Sequence, residues 1–147
     1  MPSRYTAAIV GCGSIGHAHM EGYQKLDHIK VIAVADPIEA ARHQYVEEYH
    51  ISHEFTTVEE MMDAVKPDIV SICVWHLLHA PMTVAAAAGG ARGVICEKPM
   101  AIGMGEADRM VESCEASGTK LVISHQRRFT PGWEKARQLL KDKAIGD

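Results

Sequence analysis

The stretch Gly11-Cys12-Gly13-Ser14-Ile15-Gly16 constrains this 147-residue chain more than any other, because of what flanks it. The apolar run Ala7-Ala8-Ile9-Val10 precedes it and reads as a strand buried on both faces. A helix start follows it, and twenty residues beyond Gly16 stands Asp36, at the end of a second apolar run, Val31-Ile32-Ala33-Val34-Ala35. Strand, glycine turn, helix, strand and acid in that order make a dinucleotide-binding fingerprint in the context it requires. Gly11 permits a tight turn out of the strand, Gly13 lets the backbone approach a pyrophosphate, and Gly16 lets helix and strand pack closely. The N–H groups of the helix's first turn have no intrahelical acceptor, and with the helix dipole they favour an anion there. Residues Gly11, Cys12, Gly13, Ser14, Ile15 and Gly16 are therefore the expected phosphate-binding loop.

Asp36 decides which dinucleotide. Its carboxylate can accept hydrogen bonds from both hydroxyls of an adenosine ribose, and its charge repels a 2′-phosphate. No arginine follows directly to receive such a phosphate. Pro37 and Ile38 come next, and Arg42 lies further along. The expectation is NAD rather than NADP, with Asp36 and Pro37 at the adenosine end. Asp36 can also serve as the N-cap of a helix opening at Pro37, a role compatible with ribose binding.

Strands and helices alternate along the rest of the chain. Helices are expected over Ser14–Lys25 and from about Pro37 to Tyr49, with a short extended piece around Glu54-Phe55. Thr57-x-x-Glu60 is a capping-box pattern opening a helix that ends before Pro67. Asp68–Val74 reads as a buried strand, Pro81–Ala88 as a helix stopped by Gly89-Gly90, and Gly93–Cys96 as a further strand. Gly105–Ser117 reads as a helix ended by Gly118, Lys120–Ser124 as a last strand and Arg127–Phe129 as a loop. Pro131 opens a final helix to about Lys143. This alternation implies an α/β fold, a doubly wound parallel sheet of about six strands with helices on both faces, spanning 1–147 as one dinucleotide-binding domain. Ligands of such sheets bind beyond the carboxyl ends of the strands. Gly11–Gly16, Asp36, Val74–His79, Glu97–Pro99 and His125–Arg128 all fall at such ends.

Glu97-Lys98-Pro99 follows one of these ends. A lysine there can hydrogen-bond a substrate hydroxyl and help move its proton, while Pro99 fixes the local backbone. Taken in order, Gly11–Gly16 with Asp36, then Cys96-Glu97-Lys98-Pro99-Met100-Ala101, then Gln126-Arg127-Arg128-Phe129-x-Pro131 resemble the glucose–fructose oxidoreductase / inositol dehydrogenase (Gfo/Idh/MocA) family. The resemblance runs from about Tyr5 to Gly146. It implies a Rossmann domain binding NAD, with Lys98 as the catalytic lysine on a sugar or cyclitol hydroxyl. It further implies that the loop Val74, Trp75, His76 and His79 lies along the cofactor, with Glu97, Lys98 and Gln126 at its reactive end. Val74-Trp75-His76 stands where the family commonly has Thr-Pro-Asn, and Gln126 where it often has Asn; both of the latter offer an amide. Family members continue into a second α/β domain that supplies most of the substrate pocket and, in an Asp-x-x-x-His motif, the general base. No Asp-x-x-x-His occurs in this chain, so its active site is expected to be incomplete. A stand-alone dinucleotide-binding module, a sensor or an assembly subunit, is the alternative expectation.

Bulk properties narrow the rest. Residues 1–126 carry nine Lys+Arg against sixteen Asp+Glu, and 127–147 carry six against three, a tail too small and mixed to argue for nucleic acid. No run approaches the roughly twenty apolar residues of a membrane span, and no signal-peptide core opens the chain. Cys12, Cys73, Cys96 and Cys114 show no CxxC pairing, which fits buried thiols in a reducing cytoplasm. The pairs His17/His19, His50/His53 and His76/His79 lack a third ligand at closing spacing, so no metal is expected. An apolar patch left by a missing domain is expected to favour self-association.

Overall fold

A computed structural model describes residues 5–146; residues 1–4 and Asp147, counted within the expected domain, lie outside the described residues. Six strands form one sheet: β1 (Tyr5–Val10), β2 (Ile29–Ala35), β3 (His53–Phe55), β4 (Ile69–Ile72), β5 (Gly93–Cys96) and β6 (Lys120–Ile123). Their spatial order is β3-β2-β1-β4-β5-β6, and every neighbouring pair is parallel. This is the doubly wound Rossmann arrangement, with the change of winding direction between β1 and β4. Six helices connect and follow the strands: α1 (Ser14–Tyr23), α2 (Glu39–Tyr49), α3 (Val58–Val65), α4 (His79–Ala88), α5 (Met104–Ser117) and α6 (Pro131–Lys141).

Successive strand side chains point to opposite faces, so the sheet has two cores. Ala8, Val10, Ala33, Ala35, Val70, Ile72, Val94 and Cys96 meet α3, α4 and α5 through Met61, Met62, Ala80, Ala86 and Met110. Ala7, Ile9 and Val34 meet α1 and α2 through Met20, Tyr23 and Tyr45. The small residues on the strands let helices lie close, and Tyr45 is fully buried by that approach. Coverage of the second face stops short of β6. Val122 there is 55% exposed, and α6 buries none of its residues. Phe129, Trp133, Leu140 and Ile145 are exposed along the same C-terminal segment.

Local signals hold at most boundaries. Thr57 Oγ1 accepts the Glu60 N–H at 3.2 Å to cap α3, and Gly118 ends α5 in the left-handed region at φ 73°. Two of the expected boundaries shift for polar reasons. Asp36 Oδ1 accepts the Ile38 N–H at 2.9 Å, which turns the chain and delays α2 to Glu39, so Ile38 rather than Asp36 is its N-cap residue. Asp68 leaves β4 because its carboxylate accepts the Thr6 N–H at 2.8 Å and the Thr6 hydroxyl at 3.0 Å, pinning β4 to β1. A 3-10 turn, His76–Leu78, leads into α4 two residues before Pro81, and Gln126–Phe129 is a second 3-10 turn rather than a loop. β2 starts two residues early at Ile29, and α1 and α6 each stop two residues short, at Tyr23 and Lys141.

A Cβ on Gly89 would meet the Met62 side chain at 2.6 Å, forcing α3 from α4, whereas Gly22 faces open space. Gly89→Ala should lower urea-derived stability by about 1–3 kcal/mol. Gly22→Ala should raise it by about 0.5 kcal/mol, as expected for an exposed helical glycine. The Thr6 N–H, the Thr6 hydroxyl and Arg92 hold the Asp68 carboxyl below its usual range. A carboxylate so lowered stabilises the fold above its ordinary pKa of about 4, and that contribution is lost as pH falls below it. Asp68→Asn should therefore lose less stability than the parent chain between pH 7 and pH 3.

Candidate functional site

Because all strands are parallel, every strand exits at the same edge of the sheet. Backbone hydrogen bonds continue past the strand ends along that edge. The Gly11 N–H reaches Ala35 O at 2.8 Å, Cys73 N–H reaches Val10 O at 2.7 Å, Glu97 N–H reaches Ile72 O at 3.1 Å, and Ser124 N–H reaches Cys96 O at 2.8 Å. The five segments singled out from sequence are thus fastened side by side.

At the centre, Gly11 adopts φ 97°, and a Cβ there would meet Cys73 O at 2.5 Å. Gly16 is closed as well, since its Cβ would strike Gly11 O and lie 2.6 Å from the Tyr45 hydroxyl. Gly13 differs. Its backbone is extended, at φ −93° and ψ −173°, and a Cβ on it would find no atom within 4 Å. Gly13 is also the N-cap of α1 with no side-chain cap, so the first-turn N–H groups of Ser14, Ile15 and Gly16 open toward that space. Its carbonyl is held from behind by the Tyr45 hydroxyl at 2.8 Å. A cradle of free amides above an open glycine fits a pyrophosphate.

Asp36 stands beside this loop. Its Oδ2 accepts the Cys12 N–H at 2.9 Å, which ties the acid to the loop and commits that amide. Arg42 folds back to donate to Asp36 O at 2.6 Å, nearer than its place along α2 suggests, and its buried Nε has no partner. Pro37 is exposed next to it. Burial and the Asp36 charge push the Cys12 thiol up to about 12, so it remains an unreactive thiol.

Beyond β4, Val74 is half-buried, while Trp75, at 79% exposure, and His76 face solvent. Lys98 is exposed and lines a cleft of about 540 Å³ together with Ser124, His125, Gln126, Arg127, Arg128 and Trp133. Lys98 and Gln126, separate in sequence, are thereby brought to one cavity rich in positive charge. Glu97 and His79 are placed otherwise. Glu97 is 4% exposed and turns its carboxylate inward, to His19 Nε2 at 3.2 Å and to the Lys98 N–H at 3.3 Å. Burial pushes its carboxyl up, but the hydrogen bonds from Ser124, His19 and Lys98 N–H outweigh burial and hold it below its usual range. His79 is 1% exposed, with Nδ1 at 2.6 Å from Pro99 O and Nε2 at 3.0 Å from Val74 O. Both side chains act on this edge through the segments they hold, not by facing the open surface.

Sequence reading missed Tyr45, His19 and Ser71. The available signal was helical spacing: His19 and Tyr23 lie i, i+4 on α1, and both reach Ser71 Oγ, at 3.1 and 2.9 Å. His17, two residues away, faces α2 and meets the Tyr49 hydroxyl at 2.7 Å. Among the described residues no three His, Cys, Asp or Glu side chains converge as a metal site would require.

Comparison with known proteins agrees with this architecture. The model of an oxidoreductase family with an NAD-binding Rossmann fold, Gfo/Idh/MocA, matches residues 5–125. D-apiose dehydrogenase of Paraburkholderia graminis is 27% identical over 143 residues, which cover 97% of this chain and 38% of that protein. An inositol 2-dehydrogenase/D-chiro-inositol 3-dehydrogenase of Shouchella clausii is 30% identical over 142 residues, 95% of this chain and 41% of that protein. The structure of scyllo-inositol dehydrogenase from Lactobacillus casei, with bound NAD(H) and scyllo-inositol, superimposes with a TM-score of 0.90 at 23% identity. It covers 99% of this chain and 43% of that one, and the likeness establishes the fold. The chain thus spans about two fifths of the length of the relatives it matches. On the match across residues 5–125, this chain belongs to the Gfo/Idh/MocA oxidoreductase family, in the part that forms its NAD-binding Rossmann fold.

Proposed function

We propose that residues 1–147 are the dinucleotide-binding domain of a longer NAD-dependent oxidoreductase acting on a secondary alcohol of a sugar or cyclitol. The observation that carries this reading is Gly13, the one member of the glycine fingerprint whose lack of a side chain nothing in the chain itself requires. Gly13 and the first-turn amides of Ser14, Ile15 and Gly16 would hold the pyrophosphate. Asp36 would accept the adenosine ribose hydroxyls with lone pairs left over from Cys12 and Ile38, and Pro37 would flank the ring. Val74, Trp75 and His76 would line the path toward the reactive end, where Lys98 and Gln126 share a cleft.

When bound, NAD supplies the hydride acceptor for the carbinol C–H. The chain's own part is placement. Lys98 Nζ would hydrogen-bond the reacting hydroxyl and stabilise oxygen as it loses its proton. The Gln126 amide would orient a neighbouring hydroxyl in the same cleft. The proton acceptor and most of the polyol pocket would come from outside residues 1–147, as the relatives' greater length supports. The four buried free thiols suit a reducing, cytoplasmic setting, and among the described residues no helix is long and apolar enough to cross a membrane. The exposed Phe129, Trp133, Leu140 and Ile145 suit burial against further chain or a second copy.

Calorimetry on the 147-residue chain tests the cofactor half directly. NADH should bind and NADPH should bind more weakly, with negligible sugar oxidation by the chain alone; failure to bind NADH overturns the reading. Asp36→Ala removes charge-assisted hydrogen bonds and should weaken NADH by about tenfold to a hundredfold. Gly13→Ala should weaken NADH at least about tenfold while changing folding stability by less than about 1 kcal/mol, because its Cβ enters space empty of protein.

A further inference from the structure

The turn that carries Lys98 is held from two sides by histidines rooted in the cofactor-binding segments. On one side, His19 of α1 sends Nε2 to Glu97 Oε1 at 3.2 Å, and Glu97 Oε2 accepts the Lys98 N–H at 3.3 Å. His19 is itself fixed, because Tyr23 and Ser71 complete a buried chain behind it. The chain closes with every member satisfied when Tyr23 donates to Ser71 Oγ, Ser71 to His19 Nδ1 and the His19 Nε2–H to Glu97. Burial pushes the Tyr23 hydroxyl up, which keeps that phenol a donor. On the other side, His79 of α4 stands between two carbonyls, with Nδ1 2.6 Å from Pro99 O and Nε2 3.0 Å from Val74 O. A neutral ring has one N–H, which the shorter contact assigns to Pro99 O, and the ring packs between the Lys98 turn and the loop after β4.

Neither histidine is required by the fold in an ordinary way. Among buried polar residues, Glu97 and His79 are the ionisable ones, at 4% and 1% exposure. Burying such groups is costly unless they are hydrogen-bonded, and one bond from each histidine goes to the same three-residue turn, from His19 to Glu97 and from His79 to Pro99 O. An apolar residue at each position would pack without that cost but would leave Glu97 Oε1 and Pro99 O without these partners.

We propose that His19, acting through Glu97, and His79, acting through Pro99 O, are positioning residues that clamp the Glu97–Lys98–Pro99 turn to α1 and to the Val74 loop. They fix where Lys98 stands relative to the cofactor cradle, so the cradle and the reacting lysine move as one unit. This rests on the reading of Lys98 as the residue that meets the substrate hydroxyl.

Amide hydrogen exchange on the whole chain tests the clamp with a readout that general destabilisation would not reproduce. His19→Phe and His79→Leu should each speed exchange at Glu97 and Lys98, whose amides bond to Ile72 O and Glu97 Oε2, by at least about tenfold, while the core amides of Ile9 and Val34 keep their rates. His79→Gln, whose amide carries two N–H donors, should restore most of the protection lost in His79→Leu. Unchanged exchange at Glu97 and Lys98 in both apolar variants overturns the proposal. So does equal acceleration at Ile9 and Val34, which would make the histidines general fold elements. Should His19→Phe fail to fold, Glu97→Gln gives the same test of that arm, since its amide offers only one oxygen to His19 and Lys98 together; should His79→Leu fail to fold, His79→Met removes the same ring nitrogens. NADH calorimetry on the parent chain separates the two ideas: absent binding with local loosening sinks the cofactor reading alone, and intact binding with no loosening sinks the clamp alone.

Discussion

The backbone ladder that runs beyond the strand ends is what the rest of this structure depends on. Five parallel strands deliver their last residues to one edge, and the next amide of each exit segment bonds to the neighbouring strand: Gly11 to Ala35, Asp36 to Phe55, Cys73 to Val10, Glu97 to Ile72, Ser124 to Cys96. Exit loops are ordinarily the mobile part of an α/β fold. Here their first residues are in effect one more row of sheet. That row sets the spacing between the glycine loop, Asp36, the Val74 loop and the Lys98 turn before any side chain is considered.

Side chains then lock the row at its two ends by the same device, a buried or half-buried acid that accepts backbone N–H groups. Asp36 takes the amides of Cys12 and Ile38, and Glu97 takes that of Lys98. The bonds to Glu97 outweigh its burial and hold its carboxyl below the usual range; Glu97 sits one step from a proposed contact with ligand, and Asp36 is itself one. Asp68 does the equivalent at the opposite edge, where it holds Thr6 and fixes the start of β4. The fold thus uses its acids as backbone fasteners, and the Asp36 carboxylate keeps lone pairs for a second use.

How much of this was legible in the sequence follows from which forces are local. The apolar runs ending at Val10, Ala35 and Cys96, the Thr57 cap and the Gly118 stop are short-range signals, and the elements appear where those signals stand. The parallel order and the common exit edge follow from alternation alone. What stayed hidden were long-range polar pairings: Asp36 with Cys12 across 24 residues, His19 with Glu97 across 78, Asp68 with Thr6 across 62. Such pairings moved the start of β4 and turned Glu97 inward, while the two-residue Asp36–Ile38 bond delayed α2 and contacts with Pro99 O and Val74 O turned His79 inward. The uncovered flank of β6 was likewise illegible in detail, because α6 has an amphipathic sequence yet nothing within residues 5–146 buries its apolar stripe.

The three glycines of the fingerprint now separate by cause, and the separation bears on how such a pattern should be interpreted. Gly11 is demanded by a left-handed backbone and by Cys73 O, and Gly16 by Gly11 O and the Tyr45 hydroxyl. A chain that bound nothing would still need both to bring α1 down on β1. Gly13 has an extended backbone any residue adopts and open space where its side chain would be. Its cost in chain entropy is offset by nothing within the protein. A glycine that the fold does not require, at the mouth of an uncapped helix and beside an acid already oriented by Cys12 N–H, is what the proposed dinucleotide, approaching the backbone there, would require. The middle glycine, not the pattern as a whole, is the residue on which that proposal rests.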